Sequence, residues 1–185
     1  MKPLSIPILL LICTWPLHEA KAKVFITVKE ALKAAFPESE SWTTTAETRY
    51  LTADQIRKTK ELSGHDAVSA LVVRHHAKNS KSGKDEYAYT DTHRVRSHSE
   101  SLFVVVDSED RIRHLEVLAF DEPLEYMPKD QWYRKFDQAS LNADLEVKRR
   151  IPFVTGASLT AQASTQAARR VLAIHLSLKA KGGNP

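Results

Sequence analysis

Apolar residues follow two rhythms along the chain. Near the start they recur at helical spacing. Thr27-Val-Lys-Glu30 matches a reciprocal capping box, Ala31, Leu32, Ala34, Ala35 and Phe36 follow, and Pro37 ends the run. Thr52-Ala-Asp-Gln55 repeats the signature and opens a second helix through Ile56 and Leu62, with Gly64 as its stop. The middle of the chain reads as strands. Residues 67–75 ("AVSALVVRH") are apolar and β-branched, and "KNSKSGKD" is a polar turn. Residues 86–96 carry Tyr87, Tyr89, Thr90 and Val95. Residues 102–106 are continuously apolar, which predicts burial on both faces. "DSEDR" is a tight connection, and residues 112–120 complete an antiparallel meander. "DEPLEYMPKDQWYRKF" predicts a loop and then a short helix, with Pro128 near its first turn and Trp132 and Phe136 one turn apart. The last helix opens near Leu159. Ser164, Ala167, Ala168, Val171, Ile174, His175 and Leu178 share one face, with Arg169 and Arg170 opposite. With no internal repeat and no linker, this order predicts a single α+β domain: an antiparallel sheet, flanking helices, and a C-terminal helix after the "TGAS" turn.

The first 22 residues break this pattern. Lys2 is followed by a mostly apolar stretch, residues 4–15, and then "HEAKAK", where Ala20 and Ala22 precede Lys23 in small-x-small spacing. This predicts a signal peptide over 1–22 and a mature domain over 23–185. The stretch is too short for a comfortable permanent span. Cys13 is the single cysteine, and Ile12 before it argues against lipid modification. A chain cut before Lys23 has no disulfide, thiolate metal site or cysteine nucleophile. The expected location is periplasmic or otherwise extracytoplasmic. Hydrophobic residues at 42% and charged residues at 27% are a globular balance. A net charge of +4, from 27 basic and 23 acidic residues, is too small and mixed to argue for nucleic acid.

Residues 154–160 ("VTGASLT") place small and hydroxylated side chains at a helix mouth. A helix start has unpaired N–H groups and partial positive charge. Gly156 and Ala157 allow close approach to the backbone, and Thr155, Ser158 and Thr160 add hydroxyls. Two readings fit this spacing: Ser158 caps the helix, or the turn seats a phosphate. Other chemistry is less supported. His75 and His76 are adjacent on a strand and point to opposite faces, and neither they nor His93 and His98 have a chelating partner at metal-site spacing. Gly156-Ala-Ser158-Leu-Thr160 lacks the second glycine of a nucleophile elbow. No general acid–base pair stands out, so no catalytic residue and no metal ligand is expected.

"TGASLT" resembles the Ser/Thr-Gly-Ala-Thr motif of the FMN-binding domain family. That family includes the periplasmic flavin subunits of the sodium-pumping quinone reductase and of the related ferredoxin:NAD oxidoreductase. The similarity extends over "VVVDSEDRIRHLEVLAF", "DEPLEY", "QWYRKF" and "VTGASLT", in the family's order, and covers roughly Val68 to Leu178. It implies FMN as cofactor, with Ser158 as phosphate-contact or attachment residue and a flavin transferase as a partner. Thr155, Gly156, Ala157, Leu159 and Thr160 would form the cradle, and Glu122 and Pro123 a wall of the ring slot. Two positions depart from the family: Ser158 stands where its modified threonine falls, and Pro152 where an aspartate is usual. "DEPLEY" also lacks the family's loop glycines. The implied function is an exported electron carrier between a membrane-associated donor, such as an electron-transfer complex, and an extracytoplasmic acceptor. The alternatives are a non-redox binding module that has lost the flavin and a periplasmic FMN-dependent reductase.

Overall fold

The computed structural model describes residues 23–180; the expected signal peptide lies outside them. Both capping boxes form. Helix α1 (Val28–Ala35) starts at Thr27, whose hydroxyl accepts the Glu30 N–H while the Glu30 carboxylate accepts the Thr27 N–H. Helix α2 (Ala53–Ser63) starts with the same exchange between Thr52 and Gln55, and ends at Gly64 with φ +75°.

Strands β1 (Lys23–Val24), β2 (Trp42–Tyr50), β3 (Leu71–Asn79), β4 (Asp85–Arg94), β5 (Ser99–Val106) and β6 (Ile112–Phe120) form one antiparallel sheet. The spatial order is β1-β6-β5-β4-β3-β2. From β2 to β6 the chain runs as a meander of sequence neighbours, and β1 attaches beyond β6. Helix α3 (Asp130–Tyr133) and helix α4 (Ser158–Lys179) complete the fold. The molecule is therefore a single α+β domain.

The 102–106 run is buried on both faces, as its continuous apolarity predicts. Leu102, Val104 and Val106 face α4 with Leu115, Trp132, Phe136, Ala168, Val171 and Leu172. Phe103 and Val105 face α1 with Ala31, Phe36, Trp42, Ala88 and Leu118. The two layers make β5 the centre of the core.

The hydrophobic pattern does not announce β2. Its sequence, "WTTTAETRY", is exposed or half-exposed after Trp42. An edge strand wet on most of its surface has no alternation to display, so its threonines carry the only strand signal. Arg169 and Arg170 also differ from the expectation of a solvent-facing side. Arg169 bonds the carbonyls of Ser63, Asn142 and Leu145, and Arg170 grips Asp91.

Candidate functional site

The mouth of α4 is built differently from those of α1 and α2. Its N-cap is Ala157, which offers no side-chain acceptor. Ser158 therefore does not cap: its hydroxyl donates backward to the Val154 carbonyl at 3.2 Å. Gly156, at φ +84°, turns the chain into the helix, a conformation that disfavours any other residue there. The helix is secured from the side instead. The Thr160 hydroxyl donates to the Tyr126 carbonyl at 2.6 Å, and the Ser164 hydroxyl donates to the buried Glu100 carboxylate at 2.7 Å. The approach loop is tied by the Trp132 indole N–H, which donates to the Pro152 carbonyl at 2.8 Å. No side chain caps the first-turn N–H groups.

That mouth opens on a groove of about 440 Å³, lined by Met127, Lys129, Trp132, Lys135, Thr155 and Ala157 among others. The size falls in the usual range of small-molecule sites. A side chain placed on Gly156 would meet no atom within 4 Å, so the space before the turn is clear. Lys129 and Lys135 bring two cations to it and Glu125 one carboxylate, and Trp132 offers the edge of an apolar wall. Leu124, Phe153 and Leu159 are each about half exposed on the turns flanking the groove. No histidine or cysteine lines it.

The predicted residues divide into two groups. Thr155 and Ala157 line the groove, Gly156 is exposed at the turn, Ser158 is half-buried and Leu159 is exposed. Thr160 faces inward at 1% exposure, its hydroxyl already engaged. Glu122 is not a wall. It is buried, and its Oε1 accepts the N–H groups of Arg96, Ser97 and His98 at 3.1, 2.7 and 2.9 Å. Burial alone would push this carboxyl upward, but the three N–H bonds outweigh it and hold it below the usual carboxylate range. Glu122 thus locks the turn between β4 and β5. Pro123 is exposed and opens the short 3₁₀ turn Leu124–Tyr126. The wall facing the α4 mouth comes from the next residues, Glu125 to Lys129. Lys129 and Lys135 were not singled out from the sequence, because isolated lysines in a charged helix look like solvated surface until the fold gathers them.

Behind the groove runs a buried polar network. Glu100, fully buried, accepts from the Tyr133 hydroxyl at 2.9 Å and lies 3.0 Å from His93 Nε2. His93 Nδ1 is 3.1 Å from Asp91, which also receives two guanidinium bonds from Arg170 at 2.9 and 2.6 Å. Burial disfavours the charged imidazole, but hydrogen bonds and charge from Asp91 and Glu100 prevail and push His93 up to about 9. Burial opposes ionisation of Asp91 as well, and His93 with Arg170 overcomes it, lowering its pKa. At the other end of α4, His175 lies between Tyr89 and Asp110 at 2.9 and 3.0 Å, and burial lowers its pKa. Among the described residues no group of three or more His, Cys, Asp or Glu side chains is placed to hold a metal ion, and no helix is long and apolar enough to cross a membrane.

No protein-family model matches the chain, and no curated protein or solved structure matches it significantly.

Proposed function

We propose that the chain is an exported FMN-binding protein that acts as an electron carrier. One observation supports this above the rest: the longest helix leaves its mouth uncapped, and that mouth opens on a groove bearing two lysines and a tryptophan. Uncapped N–H groups, the positive end of the helix and nearby lysines are the donor set a phosphate dianion requires. The clear space before Gly156 lets a phosphoester group reach the backbone. The residues present therefore fit FMN. Thr155, Gly156, Ala157 and Ser158 would hold its phosphate, Lys129 and Lys135 would balance its charge, and Trp132, Met127 and Leu159 would shield its ring. When bound, FMN supplies reversible one- and two-electron chemistry. The chain's own part is to hold it and to leave one edge open to a redox partner. Ser158 is the attachment residue implied by the resemblance to the FMN-binding domain family.

The test is an intact mass and visible spectrum of protein expressed with a flavin transferase and supplied with FMN. The expected result is a yellow protein whose colour survives denaturation, and whose added mass disappears in Ser158→Ala. Colour that washes out on denaturation assigns a non-covalent cofactor. A colourless product under both conditions overturns the reading and favours the empty binding module. Pro152 and Ser158, the two departures from the family's motif, are the residues that favour that alternative.

A further inference from the structure

The sheet divides at one place. β3 pairs with β2 as far as Leu71, opposite Tyr50, and β4 pairs with β5 as far as Arg94, opposite Ser99. The ladder between β3 and β4 stops earlier, at Arg74 opposite Tyr89. Beyond that point lies a cleft of about 490 Å³. Val68, Val72, Val171 and Ile174 give it apolar walls, and Asp91 and Arg170 are among its polar residues. The division has a physical cause. Arg170 of α4 grips Asp91 and Glu100 of β5 holds His93, so β4 stays with α4 and β5, whereas β3 follows β2.

The two lips of this cleft differ. In an antiparallel strand, successive residues turn their main-chain groups to opposite neighbours. The Leu51 N–H donates to the Ala70 carbonyl at 2.8 Å, so Leu71 faces the cleft. Ser69 seals that position: its hydroxyl accepts the Leu71 N–H at 3.2 Å and donates to the Leu71 carbonyl at 2.9 Å. On the opposite lip the Val95 N–H donates to the His98 carbonyl at 3.0 Å. Odd-numbered residues of β4 therefore turn toward β5, and Thr92 and Arg94 present N–H and C=O to the cleft. Among the described residues nothing bonds that edge.

We propose that this cleft receives an extended segment of a partner polypeptide, which adds to the free edge of β4 as a strand. A row of alternating donors and acceptors at strand spacing is matched by another main chain. The apolar walls select a Val- or Ile-sized residue at every second position of the segment. Arg94, exposed at the cleft, selects an acidic residue at its outer end. The site is separate from the α4 mouth and needs no flavin.

Hydrogen exchange on the purified protein is the first test. Thr92 and Arg94 amides should exchange fast while Asp91 and His93 are protected. A random-peptide display library is then panned on the wild type, with Thr92→Pro, which removes an edge N–H, as counter-selection. The expected peptides alternate apolar residues, end in an acidic one, bind Thr92→Pro at least tenfold more weakly, and protect the Thr92 and Arg94 amides. Arg94→Glu, a surface change that spares the fold, should weaken the same peptides. Equal binding to Thr92→Pro, no enrichment over that control, or protection mapped elsewhere overturns the proposal. Slow exchange at Thr92 and Arg94 that is lost on removing residues 1–22 assigns the edge to the chain's own N-terminus and also overturns it.

Discussion

Helices α1 and α2 close their own mouths, and α4 does not. In the first two, a threonine and a glutamate or glutamine exchange bonds with each other's backbone. In α4 the cap is an alanine, the nearby serine turns away, and stability comes from Thr160 and Ser164 reaching sideways to Tyr126 and Glu100. A helix held by its flank can leave its end open. The contrast separates helix ends closed by their own caps from one that is anchored along its side.

The comparison breaks most severely at the lateral anchor. Glu100→Ala removes the acceptor shared by Tyr133 and Ser164 and leaves His93 charged beside one carboxylate. It should cost about 3–5 kcal/mol in urea denaturation. Gly156→Val forces a β-branched residue into positive φ and fills the space before the turn. FMN affinity should fall on the order of a hundredfold by fluorescence titration, a change of about 2.7 kcal/mol. The imidazole in the network gives the next largest effect. His93 is raised from 6.5 to about 9 in the folded state, so its stabilisation is complete below pH 6.5 and is lost as pH rises through about 9. The urea midpoint should decline across that window, and the decline should vanish in His93→Gln. Thr52→Ala removes a true cap and should cost about 1 kcal/mol without affecting flavin binding. Ser158→Ala should cost less than about 0.5 kcal/mol, because that hydroxyl caps nothing. A larger loss there would mean that α4 is capped after all.

Much of this frame was legible in the sequence. Both capping boxes, the Gly64 stop and the four-strand meander follow from short-range patterns that the fold keeps. Thr155, Gly156 and Ala157 likewise sit where a helix-mouth motif should put them. Features that depend on distant residues were not legible. Glu122 reads as a loop carboxylate until three N–H groups from the β4–β5 turn surround it. Lys129 and Lys135 read as surface until the 152–157 loop is tied against Trp132. Arg170, Asp91, His93 and Glu100 lie on three different elements, and no spacing along the chain joins them. β2 escaped notice because it is wet, and wet strands carry no burial rhythm.

The pairing of β1 has a kinetic consequence. Lys23 sits opposite Phe120, so this strand leaves first in chain order and finds its partner roughly a hundred positions later. Hairpins between neighbours close quickly, whereas a contact of that span waits for everything between to be in place. Docking of β1 should therefore come late, after the meander and alongside the still longer α2–α4 contact between Gln55 and Ser177, leaving the β6 edge briefly uncovered while the rest of the sheet is already formed.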